Sequence, residues 1–147
     1  MTVIACNLEM MAADSLCHED DSSSYQASKL MRLADGSIIG GAGNHPEIVM
    51  DWIYRGKPAN DRPSFDYEKD DFYVLHLTED GMHLYANSLI GFPLKEKTFA
   101  VGCGADIALY CMRIHKMPPD QACKEATKIN MFCGGDIDSL KLNPSKP

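Results

Sequence analysis

Apolar and β-branched residues begin at the second position of the chain, TVIAC, and resume as MMAAD after the polar break Asn7-Leu8-Glu9. Chains more often open on a few loose polar residues, so this pattern predicts a first strand buried from its start and a second paired with it in a tight hairpin. A polar run from His18 to Ser24 predicts a loop. Residues 28–33 then alternate, with Lys29, Met31 and Leu33 on one face, and a lysine on an apolar face requires a partner. Ala34-Asp35-Gly36 reads as a hairpin turn into a strand over 37–43, rich enough in glycine for another group to approach its backbone closely. By this reading four strands precede any helix.

The period changes at residue 45. Pro46 stands early and Ile48, Val49, Trp52 and Ile53 follow at helical spacing up to residue 54. Residues 56–71 are polar, carry Pro58 and Pro63, and predict a connector without a second helix. A hairpin over 72–85 turns at Glu79-Asp80-Gly81, and 98–103 is a further buried strand. Gly104 opens a helix with Ile107, Tyr110, Cys111 and Ile114 as the stripe facing a sheet. Pro118-Pro119-Asp120 starts the next, with Ala122, Ala126, Ile129 and Cys133 on one face and a stop at Gly134-Gly135. A last strand over 136–140 and the tail 143–147 end the chain.

That order predicts an α+β protein with helices outside two stacked sheets. The 147 residues are 45% hydrophobic, which suits a single domain over 1–147, and no internal repeat is present. A net charge of −7 and the lack of a basic stripe disfavour nucleic-acid and membrane-surface partners. Neither a membrane-spanning run nor a secretory signal is visible, so the expected location is cytoplasmic. The cysteines at 6, 17, 103, 111, 123 and 133 include no CxxC pair, and they read as reduced thiols, most of them in the core. No metal site and no cofactor are expected. His76, His83 and His115 lack partner spacing and read as surface or core residues.

The candidate chemistry lies in Thr2 once Met1 is trimmed, with Asp14 and Lys29 downstream. A threonine hydroxyl needs a base, and an N-terminal threonine carries one in its own α-amine, whose ordinary pKa is about 7.7–8.0. A lysine beside the hydroxyl favours the alkoxide, and a buried carboxylate keeps that lysine charged and oriented.

Together these residues resemble the proteasome β-subunits and their bacterial relative HslV, which are N-terminal threonine hydrolases. The resemblance spans most of the chain. It rests on Thr2 after a removable Met, the AAD ending at Asp14, Lys29 in SKLMRL, Gly41-Ala42-Gly43 before a helix, Gly102-Cys103-Gly104 before another, and Cys133-Gly134-Gly135. It implies a four-layer αββα sandwich of the N-terminal nucleophile type, shortened because the second helix of the usual first pair is missing. It also implies a threonine-type peptidase acting through an acyl-enzyme on Thr2, with Lys29 tuning it, Asp14 orienting Lys29 and the Gly43 N–H in the oxyanion hole. By the same comparison Cys17, Ala27, Met31, Gly41 and His45 line the specificity pocket, with His18 at its rim. The implied partners are a polypeptide substrate, further copies in a homo-oligomeric ring and an ATP-dependent unfoldase. Trp52, Ile53 and Tyr54, lacking the cover of a second helix, are expected at a subunit contact.

The chain departs from the family in its supporting network. Cys103 stands where a serine is usual, and Asn130 and Cys133 replace an aspartate and a serine three apart. Thiols are weak hydrogen-bond partners and an amide carries no charge. These positions favour the competing readings: an inactive assembly or binding module, or a small-amide hydrolase with the same nucleophile.

Overall fold

The computed structural model describes residues 1–18, 23–66 and 69–142, in which eleven strands and three helices follow one another. The expected tail at 143–147 and most of the expected loop at 18–24 lie outside them.

Strand β1 (Val3–Asn7) pairs antiparallel with β2 (Met10–Ala13) across the predicted hairpin, Ile4 opposite Ala13. On the other side of β1 lies β10 (Thr98–Gly102), and β11 (Asp138–Lys141) completes the sheet in the order β10-β1-β2-β11. The second sheet has the order β5-β6-β7-β8-β9, formed by β5 (Leu30–Arg32), β6 (Ile38–Gly43), β7 (Phe72–Thr78), β8 (Gly81–Ala86) and β9 (Phe92–Pro93). A small hairpin of β3 (Leu16–His18) and β4 (Ser24–Gln26) stands apart.

Two-residue alternation explains why β1 is apolar throughout. Ile4 and Cys6 point into the core between the sheets with Met11, Leu75 and Leu77, whereas Val3 and Ala5 point outward onto α2 (Ala105–Arg113) and α3 (Pro119–Ile129). Both faces of the strand are covered, so neither can be polar. The outer contact is built from Ala5, Ala12, Ala108, Ala122 and Ala126, small side chains that let helix and sheet approach closely. On the far side α1 (Glu47–Tyr54) covers the second sheet through Val49, Trp52 and Ile53. The layers are therefore helix, sheet, sheet, helix, as the sequence pattern predicts. No second helix lies between α1 and β7 among the described residues, and none of the described helices is long and apolar enough to cross a membrane.

Several expectations are corrected. Six strands, not four, precede α1, because the polar β3–β4 hairpin lacks the apolar alternation that reveals a strand. Helix α2 buries Ala108, Cys111 and Met112, which pack in one cluster with Ala5 and α3, and leaves Tyr110 exposed, as is Ile114 just past its end. Ile129 is likewise exposed, and α3 ends there with Asn130 as its extended cap, so Cys133 belongs to the following loop and not to the helix. The Gly134-Gly135 stop thus lies four residues too far on. Trp52 and Ile53 are covered: each is only 4% exposed, and the Trp52 indole donates to the Pro58 carbonyl at 3.1 Å. The connector does the work of the missing helix, which leaves only Tyr54 of those three residues exposed.

His76 on β7 is buried, with Nε2 2.8 Å from Ser37 Oγ. Burial, and then the charge of Lys57, lower its pKa from 6.5 to about 4. In that interval the unfolded chain binds a proton that the folded protein refuses. Stability is therefore full above pH 6.5 and lost as pH falls toward 4, by about 3 kcal/mol in all. Urea titrations from pH 7 to 4.5 should show this slope, and His76→Leu should flatten it. Superimposable profiles for the two proteins would disprove the assignment.

Candidate active site

Three side chains far apart in sequence meet where β1 begins. Thr2 is fixed by its backbone: its carbonyl accepts from the Gly104 N–H at 3.3 Å and from Cys103 Sγ at 3.5 Å. Gly102 runs so close to it, at φ +98°, that a Cβ there would collide with the Thr2 carbonyl. Only glycine fits there. The burial that β1 demands also leaves Thr2 just 7% exposed.

Asp14, one residue past β2, is fully buried. Its Oδ1 accepts from the Val3 N–H at 3.1 Å and from Lys29 Nζ at 2.9 Å, and its Oδ2 accepts from the Gly134 N–H at 3.0 Å. Two backbone donors and one cation offset the cost of burying that charge. Lys29 leads into β5, with its own side chain 9% exposed. Its ammonium donates to Asp14 Oδ1, to Thr2 Oγ1 at 3.1 Å and to the Met1 carbonyl at 3.1 Å. The face of Lys29 that needed a partner has found both an acid and a hydroxyl. An ammonium held 3.1 Å from a hydroxyl by a buried carboxylate favours loss of the hydroxyl proton.

These groups open into a cavity of about 800 Å³ lined by Thr2, Lys29 and Gly43. Of the residues expected in a specificity pocket, Cys17, His18, Met31, Gly41 and His45 line it too. Ala27 is not among the lining residues; its N–H is spent on the Ser15 carbonyl at 2.9 Å. Tyr25, Asn44, Met50 and Tyr54 are among the lining residues that the sequence pattern does not reveal. A turn-by-turn reading of α1 would have found Met50 and Tyr54, four apart on the helix side next to Gly41. Gly43 sits at φ +96°, and a Cβ on it would collide with the Asp71 carbonyl, so the backbone at this lip is bare.

Behind Thr2, away from the cavity, lie the three departures. The Cys103 and Cys133 sulfurs are 3.4 Å apart, and Asn130 Nδ2 donates to the Cys103 carbonyl at 3.0 Å. Burial, and then the neighbouring Cys103 thiol, push the Cys133 thiol up to about 12, so it stays protonated. The structure thus brings Cys103, Asn130 and Cys133 together beside Thr2, though with thiols and an amide in place of charged or hydroxyl groups.

No protein-family profile matches the chain, and no curated protein does. Solved structures do. HslV of Trypanosoma brucei is 14% identical and superposes with a TM-score of 0.67 over 95% of this chain and 97% of its own. BPH of Thiobacillus denitrificans is 16% identical, with a TM-score of 0.68 over 98% of this chain and 99% of that one. The same protein in complex with epoxomicin gives 15% identity and a TM-score of 0.65. Identities this low speak for the fold alone: the chain has the four-layer fold of HslV and BPH over nearly its whole length.

Proposed function

We propose that the chain, once Met1 is removed, is a threonine-type peptidase of the HslV-like kind that cleaves peptide bonds through an acyl-enzyme on Thr2. The observation that carries this reading is the Thr2–Lys29–Asp14 contact, 3.1 Å from Nζ to the hydroxyl and 2.9 Å from Nζ to the carboxylate. Removal of Met1 turns the Thr2 amide into a free amine that serves as base for its own hydroxyl. Lys29 favours the alkoxide, and Asp14 holds Lys29. Attack on a substrate carbonyl in the cavity builds an oxyanion, and the Gly43 N–H is its donor, a contribution of about 3–4 kcal/mol to the barrier. Cys17, His18, Met31, Gly41 and His45 contact the substrate side chain, and several copies assemble into a ring around the nucleophiles.

A second reading, an inactive assembly module, is favoured by Cys103, Asn130 and Cys133, which place thiols and an amide beside Thr2 where the resembled family has hydroxyl and carboxylate groups.

Intact mass and peptide hydrolysis on one preparation separate the two. The peptidase reading expects a chain lighter by one methionine, hydrolysis of unstructured peptides, slowing by epoxomicin, and a native mass several times the 16.3 kDa protomer. A processed chain that cleaves nothing favours the inactive module. Full hydrolysis with Met1 retained overturns the role of the amine.

A further inference from the structure

The pair of sulfurs behind Thr2 has a chemistry of its own. Cys103 follows β10 and is exposed, whereas Cys133 lies in the loop after α3 and is 4% exposed. Their sulfurs are 3.4 Å apart, and the backbones that carry them are already tied together. Asn130 Nδ2 holds the Cys103 carbonyl at 3.0 Å, and the Cys133 N–H closes a turn onto the Asn130 carbonyl at 3.2 Å. A Cβ on Gly104 would approach Cys133 Sγ to 3.1 Å, so this thiol lies over bare backbone next to Cys103. Closing the sulfurs from 3.4 Å to bonding distance, about 2.05 Å, asks for a movement of roughly 1.4 Å.

We propose that Cys103 and Cys133 form a reversible disulfide, with a peroxide as the oxidant, that withdraws the Cys103 thiol from Thr2 and slows that residue. Cys103, the exposed sulfur, attacks the peroxide: one oxygen goes to sulfur as a sulfenic acid and the other leaves as water or an alcohol. Cys133 then attacks the sulfenic sulfur, the S–S bond forms, and the hydroxyl leaves as a second water with the Cys133 proton. Two thiols are oxidised and one peroxide is reduced. A dithiol reverses the step by exchange. As long as the thiols are reduced, Cys103 Sγ donates to the Thr2 carbonyl at 3.5 Å; in the disulfide that donor is gone. The slowing of Thr2 rests on the peptidase reading, while the bond itself does not.

The test is peptide mapping of the folded protein after brief exposure to hydrogen peroxide. Trypsin places Cys103 on residues 98–113, together with Cys111, and Cys133 on residues 129–141. The expected product is these two peptides linked, two hydrogens lighter than their sum, with fragment ions placing the bond at Cys103, and free again after dithiothreitol. In Cys133→Ser the sulfenic acid on Cys103 has no resolving thiol and is trapped by dimedone. Wild-type protein that accumulates sulfinic acid on Cys103, or links it to any other cysteine, overturns the proposal without recourse to a variant. Hydrolysis measured on the same samples should fall several-fold in step with the linked fraction and return with the dithiol; linked protein working at the reduced rate overturns the slowing. A link formed in protein that hydrolyses nothing in either state leaves the disulfide standing and rejects the peptidase.

Discussion

Lys29→Ala is expected to lower the peptide hydrolysis rate of the processed protein by about a thousandfold, equivalent to roughly 4 kcal/mol of barrier. The size follows from where the ammonium sits. It is the donor 3.1 Å from the Thr2 hydroxyl, in a site where its own side chain is 9% exposed, so water does little to replace it. On the proposed mechanism its charge acts as the alkoxide develops, so the loss should appear in kcat and leave KM nearly unchanged. The fold should survive, because Asp14 keeps its two backbone donors, Val3 and Gly134. Circular dichroism and a thermal melt check the fold, and steady-state kinetics decide the rest. A folded variant with wild-type kcat would remove Lys29 from the reaction.

The residues of this site were legible in the sequence because each stands beside a strongly patterned strand. Thr2 and Asp14 flank the apolar hairpin β1–β2, and Lys29 leads into β5, so their positions are legible from strand assignment, while the roles given to them come from the family resemblance. The contacts that make them a unit were not legible. Asp14 is held by the N–H of Gly134, far away in sequence, and a loop donor of that kind leaves no trace in periodicity. The glycines at 134 and 135 read instead as a helix stop. The same limit applies to the cavity wall: α1 shows its core face through Val49, Trp52 and Ile53, whereas Met50 and Tyr54 lie at the edge of that stripe, where hydrophobicity cannot distinguish core from pocket. For α2 the pattern misled because large apolar side chains usually mark the buried face, and here Ala108 is buried with Cys111 and Met112 while Tyr110 is exposed. Proximity of Cys103 to Cys133 depends on the loop after β10 and the loop after α3 meeting, which only the folded chain displays.

Asp14→Ala should be the most destabilising single change near the site, by about 3–5 kcal/mol. The carboxylate is fully buried and serves three donors at once: the Val3 N–H, the Gly134 N–H and Lys29 Nζ. Alanine removes every acceptor. Two backbone N–H groups then lose their partner, and in the processed protein the Lys29 ammonium is left with the Thr2 hydroxyl but no counter-charge. For a domain of this size the loss corresponds to roughly 10 °C or more in Tm. Asp14→Asn separates the two parts of the effect, since its side-chain carbonyl still accepts while its charge is gone. It should melt between wild type and Asp14→Ala. Because Lys29 is then no longer held by a charge, it should hydrolyse peptides nearly as poorly as Lys29→Ala. Thermal melts and kinetics on the three proteins give the order directly. If Asp14→Ala melts within a degree or two of wild type, the buried carboxylate does not organise the start of β1, and the account of how Thr2 and Lys29 are positioned fails with it.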